Sequence, residues 1–161
     1  IYQKLLVLDV DPARVDALLA AAEALGLTAT PGPFRRHTMA CTGIEYCKLA
    51  FVDTKDTATA AVATLDNRLA DLGLDVPIAL NVNGCPNSCA RIQVADIGLK
   101  GQISKGGEGD AQFAFQVHLG GGLASADREE AGLGRTLRGL KITADEMPEW
   151  KMVSNQAGKL W

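Results

Sequence analysis

The sequence predicts an α+β fold built around a mixed β-sheet. Short apolar stretches typical of strands alternate with two segments whose apolar residues recur at helical spacing, and Gly- or Pro-rich stretches separate them. The chain has 161 residues, of which 47% are hydrophobic, so it is long enough to bury a core. Its net charge of −3 is spread without long runs of either sign, which gives no electrostatic basis for binding nucleic acid or an anionic membrane.

The N-terminal part predicts one strand and one helix. Residues 5–10 form a short apolar run typical of a strand, and Asp11 followed by Pro12 is typical of a helix start. The helix should end near Gly26, which suits a left-handed C-cap. A lone strand and helix cannot bury their apolar faces, so we expect self-association through the unpaired strand or partial disorder of this segment.

The middle of the chain predicts a linker, a second helix and a strand. Residues 30–33, Thr-Pro-Gly-Pro, are the best linker candidate. Asp53 or Thr54 can cap a helix whose apolar stripe ends before Gly73. Residues 77–83 then alternate large apolar with small or polar residues, as a strand does.

Two more strands are predicted in the second half. Residues 92–99 and 113–119 are typical of strands, and the Gly-rich stretch between them favours an antiparallel hairpin. His118 is opposite in phase to the large apolar residues of its strand, so we expect it on the less apolar face. The triple glycine at residues 120–122 permits unusual backbone angles and close approach by a ligand.

The two ends of the chain carry weaker signals. Ile1 opens the sequence inside an apolar-rich segment without a basic leader, which suggests that an upstream part has been removed. Thr143 and Glu146 form a possible capping box for a last helix, although Pro148 would remove one early hydrogen bond.

No stretch approaches the ~18 uninterrupted apolar residues that a membrane span needs. We therefore expect a soluble protein located in the cytoplasm.

The four cysteines fall in two close pairs, Cys41 with Cys47 and Cys85 with Cys89. At ~3.6 residues per turn, the first pair would lie on different sides of a helix, so a shared centre requires a loop or a helix end there. Spacing alone leaves three interpretations open. Zinc usually takes thiolates roughly two to four residues apart, which only the second pair satisfies. Disulfides or unconnected buried thiols are the second interpretation, and an iron–sulfur cluster held by two loops is the third.

The residues around both pairs resemble a known family. Residues 40–50 are Ala-Cys-Thr-Gly-Ile-Glu-Tyr-Cys-Lys-Leu-Ala, and residues 83–91 are Asn-Gly-Cys-Pro-Asn-Ser-Cys-Ala-Arg. Together they resemble the sirohaem and 4Fe–4S signature of assimilatory sulfite and nitrite reductases, and the resemblance covers about residues 38–145. It implies two domains: residues 1–34 as the incomplete tail of a ferredoxin-like half domain, and residues 35–161 as a sirohaem and 4Fe–4S-binding α+β domain.

The resemblance also implies the roles of individual residues. The four cysteines would hold a 4Fe–4S cluster, and Cys89 would also bridge to the sirohaem iron, which makes it the catalytic candidate. The residues expected to contact sirohaem are Thr42, Gly43, Asn83, Asn87, Arg91, Gly120 and Gly121. Their alternative roles are ordinary turn residues and, for Arg91, a surface arginine.

The implied activity is the six-electron reduction of sulfite to sulfide, with ferredoxin as the electron donor. Residues 42–46 look closer to ferredoxin-dependent sulfite reductases, and reduction of nitrite to ammonia is the alternative. The basic residues that bind the substrate anion are expected upstream, so we expect this C-terminal part to be inactive alone. A non-catalytic metal-binding or scaffold module with empty cysteines is the rival hypothesis.

Overall fold

The structure, a computed structural model, describes residues 5–74, 76–105, 111–125, 128–144 and 146–147. Its helices are α1 (Val15–Ala24), α2 (Pro33–His37) and α3 (Lys55–Arg68). Its strands are β1 (Met39–Ala40), β2 (Leu80–Asn83), β3 (Ile97–Lys105), β4 (Ala111–Leu119) and β5 (Arg135–Ile142). No helix in these described ranges is long and apolar enough to cross a membrane.

The five strands form one mixed sheet in the order β1-β2-β3-β4-β5. The neighbours β1, β2 and β3 run parallel, whereas β4 is antiparallel to both β3 and β5. Parallel neighbours need a crossover connection, and α3 lies in the one between β1 and β2. The mixed sheet confirms the predicted α+β class, and the pairing of β3 with β4 confirms the hairpin.

Helix α3 covers one face of the sheet and forms the core with it. Asp53 caps the helix, because its carboxylate accepts a hydrogen bond from the Asp56 N–H at 2.9 Å, while Thr54 makes no side-chain cap. The buried residues of α3 follow the predicted apolar stripe. The main core residues are Ala58, Ala61, Val62, Leu65, Leu80, Val82, Leu99, Phe115 and Val117.

The opposite face of the sheet carries polar side chains. Strand alternation places Asn81 and His118 there, on either side of Gly98. His118 thus lies opposite to the core-facing Phe115 and Val117, as its phase predicts. It is buried rather than solvated. Next to it, the turn Ile92–Val94 packs over Gly98 so closely that a Cβ atom there would overlap the Ile92 carbonyl.

The N-terminal prediction is half right. Residues 5–10 do not form the predicted strand, because no strand of the described chain offers hydrogen bonds to them, and an unpaired strand is not stable alone. The predicted helix forms, but it begins as the 3-10 turn Pro12–Arg14, which Asp11 caps by accepting from the Ala13 N–H at 2.9 Å, and it continues as α1. Gly26, after the end of α1, has a φ of +76°. None of the α1 residues is buried.

The segment between the N-terminal part and β1 is tied to α3. Pro33 is the first residue of α2, and Phe34 inserts fully into the core. The Phe34 N–H donates to the Asp66 carboxylate at 3.3 Å, so the predicted linker ends in a fixed attachment.

Two strand boundaries differ from prediction. The stretch predicted at residues 92–99 begins with the 3-10 turn Ile92–Val94, and β3 starts only at Ile97. The strand predicted at residues 77–83 is reduced to β2, because only Leu80–Asn83 find partners on neighbouring strands.

The C-terminal part contains one strand that the sequence reasoning missed. Strand β5 pairs with β4 and exposes Arg135, Arg138 and Lys141. The predicted capping box is confirmed: the Thr143 N–H donates to Glu146 Oε2 at 2.9 Å, and the Glu146 N–H donates to Thr143 Oγ1 at 3.3 Å. The rest of the predicted last helix lies outside the described residues.

Candidate metal centre

Both cysteine segments start at the same edge of the sheet. Cys41 directly follows β1, and Cys85 comes shortly after the last residue of β2. Because β1 and β2 are parallel neighbours, their carboxyl ends meet at one edge, where sheets of this kind commonly place ligands. The Cys41 N–H donates to the Val82 carbonyl at 3.0 Å, which continues the pairing up to the first thiol.

Gly84 connects the two cysteine segments. Its N–H donates to the Cys41 sulfur at 3.2 Å, and its carbonyl accepts from the Phe51 N–H at 2.8 Å. A Cβ atom at Gly84 would lie 2.9 Å from the Ala50 Cβ, so a side chain would push the segments apart. Hydrogen bonds to cluster sulfurs are one means by which proteins set the reduction potential of an iron–sulfur centre.

The first cysteine segment is a loop rather than a helix, so Cys41 and Cys47 are not held on different sides of a helix. Gly43 has a φ of +78°, and its carbonyl accepts from the Cys47 N–H at 3.0 Å. The fully buried Thr54 donates its hydroxyl to the Cys41 carbonyl at 2.8 Å, and the same oxygen lies 3.8 Å from the Cys41 sulfur. The start of α3 therefore supports the Cys41 backbone from beneath.

The second cysteine segment is a tight turn closed from inside. The Asn83 side chain donates to the Cys85 carbonyl and accepts from the Ala90 N–H, both at 2.7 Å. Ser88, inside the turn, and Arg91, the residue after Ala90, have left-handed φ angles of 59° and 52°. The resulting turn buries Cys85 and leaves Cys89 exposed.

All four thiols are free of disulfide bonds. Within the described residues, no three His, Cys, Asp or Glu side chains lie close enough together to hold a single metal ion. Four cysteines on two joined segments are a donor set with which proteins hold iron–sulfur clusters.

The remaining predicted site residues fall into three groups. Thr42, Asn87 and Arg91 are exposed on the cysteine segments, and a guanidinium nitrogen of Arg91 lies 3.5 Å from the Met39 sulfur. Gly43 and Asn83 are buried within those segments, so any effect of the Asn83 side chain on a cofactor passes through the turn that it closes.

Gly120 and Gly121 form the third group, at the other end of β3. The Gly120 N–H donates to the Asp96 carbonyl at 2.9 Å, and the Arg128 guanidinium donates to both glycine carbonyls, at 3.0 and 2.7 Å. The structure therefore does not bring this loop to the edge where Cys41 and Cys85 lie.

Sequence reasoning missed two supports of the site. The sequence predicts Thr54 only as a candidate helix cap, whereas its hydroxyl donates a hydrogen bond to the Cys41 carbonyl. Gly101, on β3, lies directly beneath the second cysteine segment: a Cβ atom there would come within 2.5 Å of the Gly84 carbonyl oxygen. The available signal was a glycine inside a strand pattern, which often marks close approach of another backbone.

Comparison with known proteins identifies what this arrangement is similar to. Residues 32–152 match the family described as "Nitrite and sulphite reductase 4Fe-4S domain". A sulfite reductase (ferredoxin) 2 of Mycolicibacterium paratuberculosis is 53% identical over 151 residues, which are 92% of this chain and 26% of the relative. A ferredoxin–nitrite reductase of Synechococcus elongatus is 37% identical over 122 residues, 75% of this chain and 23% of that protein.

A solved structure is similar as well. The NirA protein of Mycobacterium tuberculosis superimposes with a TM-score of 0.83 at 50% sequence identity, over 92% of this chain and 27% of that one. The chain therefore spans about a quarter of the length of these relatives.

Proposed function

Since the chain belongs to the nitrite and sulphite reductase 4Fe-4S domain family, we propose that it is the cofactor-binding part of a ferredoxin-dependent sulfite reductase. In this proposal the four cysteines hold a 4Fe–4S cluster. The observation that carries it is the junction at Gly84, whose N–H donates to the Cys41 sulfur at 3.2 Å and so joins the two cysteine segments at one sheet edge.

Cys89 is the ligand proposed to be shared with sirohaem and is therefore the catalytic candidate. It is the exposed thiol of the four, and a sulfur that serves two metal groups must face outward from its own loop. When bound, the cluster and sirohaem supply the six-electron reduction of sulfite to sulfide. The chain's own part is to orient the thiols and to set their hydrogen bonds.

Exposed polar side chains beside the thiols are proposed to bind the sirohaem carboxylates. Arg91 is the strongest of them, because an arginine can donate two parallel hydrogen bonds to a carboxylate. Thr42 and Asn87 would add single hydrogen bonds, and Gly43 would contribute through its backbone. Three residues complete the proposed set of sirohaem-binding residues. Asn83 would act by shaping its turn, and Gly120 and Gly121 would contribute from the other end of β3.

Sulfite is favoured over nitrite as the substrate. The relative named as a sulfite reductase is 53% identical, whereas the nitrite reductase is 37% identical. Nitrite reduction to ammonia is the second candidate function. Both relatives carry ferredoxin in their names, which supports ferredoxin as the electron donor. The basic residues that bind the anion are proposed to lie outside this chain, which would then be inactive alone.

We place the protein in the cytoplasm, and we divide the chain at residue 34 into the tail of a half domain and the cofactor-binding domain. Self-association of the isolated chain would use the exposed apolar side chains of residues 5–8 and α1, because no strand forms there.

The test uses the full-length polypeptide produced in cells that make sirohaem and iron–sulfur clusters. We expect a coloured protein with a haem band and about four cluster irons per chain, and loss of the cluster in Cys41→Ser and Cys85→Ser. Asn67→Ser, on the exposed side of α3, is the control and should keep its iron. A wild-type protein without iron would refute the proposal. Greater kcat/KM for nitrite than for sulfite, with reduced ferredoxin, would favour the second candidate.

A further inference from the structure

We propose that Asn83 is a positioning residue whose side chain holds the second cysteine turn closed and thereby determines where the Cys85 and Cys89 sulfurs lie. The structural part of this proposal stands on the hydrogen bonds of the described chain. Its consequence for cofactor retention rests on the function proposed above.

The Asn83 amide makes both of its short hydrogen bonds to the backbone of the turn. Its Nδ2 donates to the Cys85 carbonyl at 2.7 Å, and its Oδ1 accepts from the Ala90 N–H at 2.7 Å. The two partners are the carbonyl of the first thiol residue, Cys85, and the N–H of the residue directly after Cys89. One side chain thus connects the start of the turn to its end.

Burial makes this connection rigid. Asn83 has no exposed surface, and Ala90 is only 1% exposed. Water cannot replace hydrogen bonds that are shielded in this way, so the loss of either would leave a buried polar group without a partner. Asparagine is also disfavoured in strands, yet here it is the last residue of a fully buried one. Its use by the turn accounts for its presence.

The turn needs such support because its backbone is strained. Ser88 and Arg91 both adopt left-handed φ angles, which residues other than glycine seldom adopt because the conformation costs free energy. The Arg91 N–H donates to the Ser88 carbonyl at 2.8 Å, and Asn81 adds a bond from its Nδ2 to the Arg91 carbonyl at 3.2 Å. Strain of this kind persists when the surrounding structure over-determines it.

The two hydrogen bonds of Asn83 form a clamp on the second cysteine turn, and this clamp explains the different environments of the two thiols. Cys85, inside the closed turn, is 5% exposed, whereas Cys89 faces outward. If the turn opened, the Cys85 thiol would become accessible and the distance between the two sulfurs would no longer be fixed. Residues that orient metal ligands typically contribute about 10- to 100-fold to metal affinity or activity.

The test compares three variants with the wild-type full-length polypeptide. Asn83→Leu removes both hydrogen bonds at similar volume. Asn83→Asp keeps an acceptor for Ala90 and loses the amide donor to Cys85. Thr57→Val is the control, because it removes a partly buried hydrogen bond, from the Thr57 hydroxyl to the Asp53 carbonyl, away from the cysteine turn.

Two readouts are measured on each protein. In the cofactor-loaded polypeptide, iron release to a chelator should be ~10- to 100-fold faster in Asn83→Leu than in wild type or Thr57→Val, with Asn83→Asp between them. In the cofactor-free polypeptide, iodoacetamide should alkylate Cys85 faster in Asn83→Leu, with Cys47 as the internal reference.

Equal iron release and equal Cys85 alkylation in Asn83→Leu and Thr57→Val would overturn the proposal. If Asn83→Leu does not fold, as judged by circular dichroism, the same comparison with Asn83→Asp decides, and wild-type behaviour of that variant would refute the clamp. If the wild-type protein holds no cluster, the proposed function fails, and the alkylation rates alone decide the role of Asn83.

Discussion

Gly101→Ala tests how closely β3 supports the second cysteine segment. The added Cβ would lie 2.5 Å from the Gly84 carbonyl oxygen and 2.8 Å from a Val52 methyl carbon. An ordinary contact between carbon and a carbonyl oxygen is about 3.3–3.6 Å, so the Gly84 backbone must move by about 1 Å. The added methyl group cannot avoid the Gly84 carbonyl by shifting toward Val52, because the Val52 methyl carbon is already too close.

The expected destabilisation by Gly101→Ala follows from overpacking and from the hydrogen bonds that Gly84 makes. Overpacking at such a site costs about 1–3 kcal/mol. Displacement also weakens the bonds from Gly84 to the Cys41 sulfur and from Phe51 to Gly84, each worth about 1 kcal/mol. Alanine recovers roughly 0.5–1 kcal/mol by restricting the unfolded chain. We therefore expect the free energy of unfolding to fall by about 2–4 kcal/mol.

Urea denaturation followed by circular dichroism measures this change. Gly132→Ala is the control, because a Cβ atom there meets nothing within 4 Å, and its free energy of unfolding should stay within about 0.5 kcal/mol of wild type. Equal midpoints for Gly101→Ala and Gly132→Ala would refute the packing argument.

Two predictions concern ionisable groups. Burial, together with the nearby Lys100 ammonium, lowers the pKa of His118 below its usual 6.5. The unfolded chain then binds the proton more readily than the folded one, so stability should be complete above about pH 6.5 and decline as the pH falls toward the lower folded pKa. His118→Gln should flatten this decline in urea midpoints, and an unchanged slope would contradict it. Hydrogen bonds from Thr143 lower the pKa of Glu146, so the capping box should weaken as the pH falls through that lowered value. Its exposure keeps the effect on stability small, and NMR titration of Thr143→Ala should show the Glu146 pKa rising.

Local signals predicted the elements that depend on local interactions. Asp11 and Gly26 mark the ends of the helical segment that contains α1, because a side-chain cap and a left-handed glycine act within a few residues. The apolar stripe of α3 is also predictable from the sequence, because its apolar residues recur at the helical period. The proposal that the four cysteines hold a cluster rests on their flanking residues, since spacing alone leaves zinc and disulfides open.

Elements that depend on distant partners were harder to predict. Residues 5–10 have strand-like composition but no neighbouring strand to pair with, whereas β5 pairs despite its exposed basic residues and Gly139. Asn83 shows the same limit within the site. Its position beside Cys85 suggested contact with a cofactor, but its acceptor is used by Ala90, which the turn brings back against it.

The parallel pairing of β1 with β2 has a consequence for the order in which the protein is built. Cys41 and Gly84 are 43 positions apart, and they meet only after α3 has crossed over and the two strands have paired. Contacts this distant in the chain form late, after local helices. A zinc finger folds around its metal, but here the sheet must close before four thiols are available. If the chain binds the cofactors proposed above, we expect their insertion to follow pairing of the strands, and the bound cofactors would stabilise the paired sheet by mass action.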